Sequence, residues 1–273
     1  MSKNNYVLIR GGGDLATGVA IRLHRSGIKV LVTELPQPLA VRRAVSFAET
    51  VYEGQHKVEG VKSKLIDANQ FSSWNYDNGI PVLIDPDLEI LSSQTFPVVI
   101  DARLIKQSPT PLPVDVPLHI GLGPGFHAGR NCHAVIETRR SHTLGRVIWD
   151  GASQPDSGLP EGDPRRVLRA SEDGVVLSHA KIGDHLQDGQ LIAEIQSEAQ
   201  NRKSQILSPF VGVLRGLIHA GLSVPKGMKI GDVDPRNDQT ACFLVSDKAL
   251  AVGGGALEAI LSKKEARNVL FTE

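Results

Sequence analysis

The sequence of 273 residues has few of the features that mark secreted, zinc-binding or membrane-spanning proteins. Its only cysteines are Cys132 and Cys242, and their separation fits neither a disulfide framework nor a zinc motif. No apolar run approaches the ~20 residues that a membrane-spanning helix needs, and the N-terminal segment MSKNNYVLIRGGGD contains no signal-peptide core. We therefore expect a cytoplasmic protein whose two thiols are free and buried.

The chain also has no net charge and few aromatic side chains. Thirty basic and thirty acidic residues cancel, so no global field attracts nucleic acid or an anionic membrane, and we expect neither as a partner. Aromatic residues make up 4% of the chain. The core must therefore depend on Val, Ile, Leu and Ala, a composition typical of parallel sheets flanked by helices.

The first 34 residues follow the pattern of a strand, a helix and a second strand. An apolar run at 6–10 is broken by three glycines at 11–13. Apolar residues at three- and four-residue spacing then occupy 15–23, and a second apolar run covers 28–33. Short strands continue to alternate with helical stretches further along the chain. This order predicts an α/β fold with a Rossmann-like, mostly parallel sheet.

The glycine turn at 11–13 has the features of a phosphate-binding turn. Gly11, Gly13 and Ala16 fit G-x-G-x-x-A, in which glycine lets the chain bend and lets the backbone approach a pyrophosphate. The helix N-terminus that follows carries unpaired N–H groups and a partial positive charge. Glu34 lies 21 residues after Gly13, close to the ~20 expected of an acid that binds a ribose hydroxyl. We predict a nucleotide site, the alternative being a plain tight turn.

Further residues extend the predicted site. Arg42 and Arg43 follow Glu34 closely and either bind a 2′-phosphate or another anion, or belong to a solvated helix face. The glycine cluster GLGPGF at 121–126 follows a predicted strand, and its backbone N–H groups can form an anion-binding nest. Asp14 either joins the site or caps the helix. The predicted ligand-binding residues are Gly11, Gly12, Gly13, Asp14, Glu34, Arg42, Arg43, Gly121, Gly123 and Gly125.

The sequence contains no recognisable catalytic machinery. A G-x-S-x-G elbow, a P-loop lysine and a Cys/His nucleophile pair are absent, so the catalytic residues are unknown. The histidines near the second glycine cluster match no metal-ligand spacing, and we predict no metal site. Asp85, Asp101, Asp232 and Asp234 are candidates for a general base or a Mg²⁺ ligand, although each is also an ordinary turn residue. The third glycine cluster, 253–255, predicts either another anion site or a closely packed helix.

The composition of the chain and the spacing of its turns change near residue 152. A segment rich in proline and glycine at 152–164 is typical of a linker, and closely spaced DG and GD turns then indicate a small β domain. We expect a Rossmann-like domain over 1–151, the β domain over 165–225, and a C-terminal segment over 226–273 that returns to the first domain.

The β domain carries a resemblance of its own. The stretches ASEDGVV, IGDHLQDGQLIAEI and ILSPFVGVLRGL resemble the lipoyl/biotinyl-type barrel-sandwich domain. Carrier domains of that type have a modified lysine at a hairpin tip, and here Ala199 occupies the place of that lysine. The resemblance therefore implies a small all-β barrel-sandwich domain that is neither lipoylated nor biotinylated.

A second resemblance rests on longer motifs and covers nearly the whole chain. RGGGDLATGVAIRLHRSG, TELPQPLAVRRAVSFAETVYEG, IGLGPGFHAGRNCHAVIETRRSHTLGRVIWDG, VPKGMKIGDVDPR and AVGGGALEAIL look like the YqeB-type accessory proteins of selenium-dependent molybdenum hydroxylases. The first unit is also similar to the Rossmann unit of XdhC-type chaperones for molybdenum cofactor. The resemblance implies a role in maturing such hydroxylases, with the apo-enzyme as partner. We also expect the protein to form a homo-oligomer.

Three hypotheses about function remain open. In the first, an accessory protein binds a nucleotide or a molybdenum-cofactor-type ligand, with NAD(P) and a molybdenum-cofactor dinucleotide as candidates. In the second, the protein is an NAD(P)-dependent oxidoreductase, although no acid–base pair supports that chemistry. In the third, it is a non-catalytic docking scaffold for a molybdenum hydroxylase.

Overall fold

The computed structural model describes residues 2–3, 5–158, 162–197 and 202–271. Ala199, which replaces the expected carrier lysine, lies outside these residues. The chain divides into two compact units that interleave along the sequence. Unit 1 comprises residues 1–38, 46–156 and 245–273, and unit 2 comprises residues 39–45 and 157–244.

Unit 1 contains both strands and helices. Its strands are β1 (Ser2–Lys3), β2 (Tyr6–Arg10), β3 (Lys29–Glu34), β4 (Gln55–Val58), β5 (Val61–Leu65), β6 (Ile80–Ile84), β7 (Gln94–Thr95), β8 (Val98–Asp101), β9 (Leu118–Leu122), β10 (His127–Ala128), β11 (Ala134–Ile136), β12 (Val147–Ile148) and β13 (Gly151–Ala152). Its helices are α1 (Asp14–Arg25), α2 (Thr50–Glu53), α3 (Ala68–Phe71), α4 (Asp247–Ser262) and α5 (Lys264–Leu270). Among the described residues, no helix has the length and apolar character that crossing a membrane requires.

A nine-stranded sheet organises unit 1. Its strand order is β12-β11-β9-β8-β2-β3-β6-β5-β4. The central pairings, from β5 to β11, are parallel, whereas the edge pairs β4–β5 and β11–β12 are antiparallel. The chain runs outward from β2 in both directions, through β3 on one side and β8 on the other. Such a reversal leaves a crevice at the carboxyl ends of the strands, where ligands bind in open α/β sheets.

The two faces of this sheet are covered by different parts of unit 1. Helices α1 and α4 pack on each other and contact β3, β9 and β11. A separate apolar cluster contains Leu8, Leu31 and Val99 from three adjacent strands, and no residue of α1 or α4 belongs to it. Because side chains alternate along a strand, these three residues define the face opposite to the helices. We call it the cluster face.

Small residues allow α1 and α4 to approach closely. A Cβ atom added to Gly18 of α1 would lie 2.5 Å from the Cβ of Ala249 in α4, and one added to Gly253 would lie 3.0 Å from the carbonyl oxygen of Gly18. Gly255 is equally confined, by the backbone of Gly145. The third glycine cluster therefore lies inside α4, where it serves helix packing, and not at a helix N-terminus.

The described residues of unit 2 form strands and single turns of 3₁₀ helix. The strands are β14 (Val167–Arg169), β15 (Gly174–Ser178), β16 (His185–Leu186), β17 (Leu191–Ser197), β18 (Arg202–Leu207), β19 (Gly212–Leu217), β20 (Ser223–Val224) and β21 (Lys229–Asp234). They form two antiparallel sheets of four strands, in the orders β14-β21-β19-β16 and β18-β17-β15-β20.

The predicted combination of a Rossmann-like, mostly parallel sheet with a barrel-sandwich domain is wrong in that form. The large sheet is mixed, and unit 2 consists of two separate antiparallel sheets. A doubly wound fold needs crossover helices between its strands, but in the described part of the sheet's connections only α1 exceeds a single turn, since α2 and α3 have four residues each. Prolines at 109, 111, 113 and 117 prevent a helix between β8 and β9.

The packing of α1 on α4 gives a paired test of stability. We expect Gly18→Ala to lower the free energy of unfolding by about 1–3 kcal/mol, because the new methyl group meets Ala249 and its backbone. Gly254→Ala is the control, since a Cβ at Gly254 meets nothing within 4 Å. That change should raise stability by roughly 0.5–1 kcal/mol through helix propensity. Urea unfolding measures both, and an equal effect of the two variants would contradict close packing at Gly18.

Candidate functional site

The glycine turn between β2 and α1 lies at the carboxyl edge of the sheet, beside the crevice. Gly11 has φ +96°, a left-handed conformation that favours glycine. Its N–H donates to the carbonyl oxygen of Thr33 over 2.8 Å, and an added Cβ would lie 3.5 Å from the backbone of Ala102 and Arg103. The turn therefore joins the ends of three adjacent strands, β3, β2 and β8.

Other residues of unit 1 cover one side of the turn, at Gly12. The N–H of Gly12 donates to the Glu34 carboxylate over 2.6 Å, and its carbonyl oxygen accepts from the N–H of Ala48 over 2.8 Å and from Thr17 Oγ1 over 3.1 Å. A Cβ on Gly12 would lie 2.9 Å from the Ala48 nitrogen. Glycine at this position is thus required by the residues that cover the turn.

Glu34 holds the turn in place. Its carboxylate accepts from the N–H of Gly12 and, over 2.7 Å, from the N–H of Leu35. Burial raises the pKa of Glu34, and the two backbone hydrogen bonds act in the opposite direction. Both carboxylate oxygens are used by the backbone, so a ribose contact would compete with these bonds.

The other side of the turn is open. Gly13 is the N-cap of α1, with an extended backbone (φ −63°, ψ −179°) and no side-chain cap. A Cβ added to Gly13 meets nothing within 4 Å. The first N–H groups of a helix have no partners within the helix and carry its positive end. Asp14 stands in the first turn of α1, where its charge reduces but does not remove that potential.

A row of polar side chains crosses the cluster face at the same edge. Thr33 of β3 is the register partner of Arg10 in β2, and Arg10 is the register partner of Asp101 in β8. Each lies two positions beyond a member of the apolar cluster, so all three project from one face. We call Thr33, Arg10 and Asp101 the polar row. In the sequence, each of these three apolar runs ends in a polar residue, and this pattern is the signal that could have predicted the row. The predicted site nevertheless left out Arg10 and Thr33.

Arg103 neutralises Asp101 within this row. The Asp101 side chain is 1% exposed, and Arg103 donates to its two oxygens from Nε over 2.9 Å and from Nη2 over 2.6 Å. Arg10 lies farther from the same carboxylate, at 3.9 Å, and its Nη2 donates to the carbonyl oxygen of Pro86 over 2.6 Å. Burial and the charge of Arg103 lower the pKa of Arg10. Asp101 is therefore committed to an ion pair and not free as a general base.

The second glycine cluster is explained by close packing. A Cβ on Gly121 would collide with the Phe126 ring, one on Gly123 with Thr138 Oγ1, and one on Gly125 with the carbonyl oxygen of Gln107. Gly123 and Gly125 also have positive φ values of +75° and +96°. The side chains and carbonyl groups around these glycines occupy the space that an anion would need at each Cα.

The two predicted arginines belong to unit 2. Arg42 donates through Nη2 to the carbonyl oxygens of Ala241 and Leu244, each over 3.1 Å. Arg43 donates through Nε to the carbonyl oxygen of Leu217 over 3.0 Å. The segment 39–45 is thereby fixed to unit 2, and the structure gives both guanidinium groups a role in that attachment.

The remaining candidate groups support no metal or thiolate chemistry. The described residues contain no cluster of three His, Cys, Asp or Glu side chains that could hold a metal ion. Burial lowers the pKa of His119 to about 4, so this imidazole is neutral at pH 7. Both cysteines are free and buried, and burial raises the pKa of Cys132 to about 11. Asp85 caps a 3₁₀ turn by accepting from the N–H of Glu89 over 2.8 Å.

Asp232 and Asp234 of β21 form an ion-pair network inside unit 2. Arg166 donates through Nε to Asp232 over 3.0 Å, and Arg215 donates to both aspartates. Arg236 donates through Nη2 to Asp234 over 2.6 Å. These bonds, chiefly from Arg236, hold the pKa of Asp234 well below its usual range. Neither carboxylate is available as a base or as a Mg²⁺ ligand.

Comparison with known proteins supports part of the sequence-based resemblance. No family model matches the chain. It is 42% identical over 265 residues to "Uncharacterized protein YqeB" of Escherichia coli (strain K12). The chain is a relative of YqeB. The match covers 95% of the chain and 48% of the YqeB sequence, so the chain spans about half the length of that relative.

Solved structures give only weak likenesses. An aspartoacylase family protein from Mesorhizobium loti has a TM-score of 0.29 and 10% identity, covering 84% of each chain. A succinylglutamate desuccinylase/aspartoacylase from Rhodobacter sphaeroides has a TM-score of 0.27 and 12% identity, covering 85% of this chain and 86% of that one. The product-bound ectoine utilization protein EutE (DoeB) from Ruegeria pomeroyi has a TM-score of 0.24 and 17% identity over 32% and 27% of the two chains.

These comparisons correct the predicted function. The matched structures are named as aspartoacylase, desuccinylase and ectoine utilization proteins, and the YqeB name carries no molybdenum or selenium role. The maturation role, the oxidoreductase alternative and the docking-scaffold alternative are therefore not retained. TM-scores of this size transfer no deacylase activity to the chain either.

The ion pairs of Asp234 predict acid sensitivity of unit 2. A carboxylate whose pKa is depressed by folding stabilises the fold above its unfolded pKa and loses that contribution as pH falls. We expect Asp234→Asn to lower the free energy of unfolding by roughly 2 kcal/mol at pH 7, and by progressively less below pH 4. Urea unfolding between pH 7 and pH 2 measures this, with Asp188→Asn as an exposed control. A loss that is the same at every pH would contradict the ion-pair assignment.

Proposed function

We propose that unit 1 binds a phosphate-bearing small molecule at the carboxyl edge of its large sheet, with a phosphate group at the N-terminus of α1. The observation that carries the proposal is Gly13. It is the uncapped N-cap of a twelve-residue helix, and its Cα faces open space. Backbone N–H groups and the helix dipole together favour an anion at such a position.

The residues around the turn also favour the approach of a ligand from the Gly13 side. Glu34 and Ala48 occupy the side of Gly12, so a ligand has only the Gly13 side available. The crevice beside Gly11 is lined by the backbone of Ala102 and Arg103, and the Arg103 side chain is 29% exposed. The Arg103 guanidinium group is paired with Asp101, so the helix N-terminus is the group that attracts a phosphate here. The expected homo-oligomer stays a prediction.

Two substitutions at Gly13 separate charge from shape. Gly13→Asp and Gly13→Ser both fit the extended backbone and the open space, and both can cap α1, adding roughly a few tenths of a kcal/mol of stability. Only aspartate places a negative charge where the phosphate would lie. We expect Gly13→Asp to weaken binding at least about tenfold and Gly13→Ser to change it less than about threefold.

Isothermal titration with inorganic pyrophosphate, ADP and NAD⁺ measures the three affinities, and thermal melting verifies the fold. Asp14→Asn supplies a test of opposite sign, because removing a negative charge from the first turn should strengthen anion binding. The proposal fails if the wild-type protein binds none of the three compounds. It fails equally if Gly13→Asp binds pyrophosphate as well as Gly13→Ser does.

A further inference from the structure

An apolar pocket opens at the amino edge of the large sheet, at the opposite end of the strands from the glycine turn. It lies where β8 and β9 begin, because Pro97 directly precedes β8 and Pro117 directly precedes β9. These strands are parallel to β2, whereas the glycine turn follows the other end of β2. The pocket is therefore separate from the phosphate site proposed at Gly13, and neither proposal depends on the other.

The pocket has room for a small molecule and a path of entry. Its volume is about 580 Å³, within the roughly 300–1,000 Å³ typical of small-molecule sites. Leu91, Phe96 and Val116 line it and are buried members of the apolar cluster. Val269 of α5 also lines it and is 39% exposed. The pocket thus extends from the core of unit 1 to the solvent.

The lining residues favour a ligand with an apolar body. Seven of the ten described lining residues are leucine, phenylalanine, valine or proline, so burial of apolar surface is the main attraction that the pocket can offer. Asp115 is the only charged residue among the ten. Because the described lining contains no basic residue, the pocket offers an anionic amphiphile no partner for its charge.

The helix at the mouth of the pocket adds a second negative charge. Glu265 lies four positions before Val269 in α5, and residues four positions apart share one flank of a helix. Lys264 and Arg267 lie about 140° and 160° from Val269 around the helix axis, on the other flank. Ala266 and Leu270 are buried between the two flanks. The flank of α5 that borders the pocket is therefore acidic.

The balance of charge at this edge is negative. Within the described part of the chain, neither Asp115 nor Glu265 forms a hydrogen bond or an ion pair. β1 places Lys3 beside Thr95 in register, so two carboxylates are set against one ammonium group here. Charge complementarity therefore favours a positively charged group on the ligand.

We propose that this pocket binds a small amphipathic cation, an apolar molecule that carries a protonated amine. The apolar lining takes the body of the molecule, and Asp115 and Glu265 attract the amine at the mouth. Ion pairs exposed to solvent are weak, so burial of the body supplies most of the affinity. The two carboxylates decide which amphiphile is preferred.

Three ligands with the same eight-carbon chain separate the body from the charge. Octylamine is protonated at pH 7, as a lysine side chain is, whereas octanol is neutral and octanoate is anionic. We expect octylamine to bind about fivefold more tightly than octanol, and octanoate to bind at least about threefold more weakly than octanol. Isothermal titration measures the three affinities. The differences should shrink at about 0.5 M salt, because ions screen exposed charges.

Two pairs of variants locate the ligand. Asp115→Asn should reduce the preference for octylamine over octanol to about twofold or less, whereas Asp188→Asn makes the same change outside the lining and should keep it. Val269→Trp fills the mouth and should weaken octylamine and octanol alike, by about tenfold. Phe271→Trp adds its bulk on the other flank of α5 and should leave both affinities unchanged. Thermal melting verifies the fold of each variant.

The results distinguish this ligand from other occupants of the pocket. If the wild-type protein binds neither octylamine nor octanol, or if Val269→Trp binds both as the wild type does, the site is overturned. Octanoate binding as tightly as octylamine overturns the choice of a cation. Light scattering tests a further occupant: a dimer that dissociates in Val269→Trp would mean that a second copy of the chain covers the pocket, and it would overturn the proposal.

Discussion

The hydrogen bond from the Gly12 N–H to the Glu34 carboxylate fixes the relation between two adjacent strand ends of unit 1. Because the Gly12 carbonyl oxygen accepts from Ala48, the same residue also fixes the chain that returns after the 39–45 segment. One glycine residue thus joins β2, β3 and residues 46–48. The open side of the turn, at Gly13, follows from this closure, since a chain clamped at Gly12 leaves only the start of α1 accessible.

Glycine serves two different physical purposes in this chain. At Gly18 and Gly253 the missing side chain lets two helices pack at short distance, and at Gly121 it makes room for an aromatic ring. At Gly13 nothing occupies the space that a side chain would fill. The first use stabilises the fold through close packing, whereas the second leaves backbone N–H groups exposed to a ligand. Only neighbours distant in sequence distinguish the two uses.

The polar row concentrates unbalanced polar groups at one edge of an otherwise apolar face. Leu31, Leu8 and Val99 are buried in the cluster, and two positions later their strands carry Thr33, Arg10 and Asp101. The charges of Asp101 and Arg103 neutralise each other, whereas Arg10 Nε and Thr33 Oγ1 are buried without a hydrogen-bond partner, which is unfavourable. Leaving a buried polar atom without a hydrogen bond is rare in native proteins and destabilises the fold.

The sequence by itself determined the local elements of the first unit and the relationship to YqeB. The apolar run at 6–10 is β2, the periodic stretch after the glycines is α1, and the run at 28–33 overlaps β3 at Lys29–Glu34. Such elements follow from periodicity and from glycine, which act over a few residues. Motifs spread along the chain were sufficient to indicate the relative that 42% identity supports.

Only the tertiary structure decided how the predicted site residues are used. In the folded protein, Glu34 accepts a hydrogen bond from the glycine turn, and Arg42 and Arg43 donate to carbonyl groups of unit 2. Phe126 and Thr138 occupy the space beside the second glycine cluster. The tertiary structure also made the large sheet mixed, with few crossover helices. Each of these outcomes depends on groups far apart in the chain, and a residue type carries no information about which distant neighbour will meet it. Arg10, Thr33 and Asp101 form one row only because their strands are paired side by side.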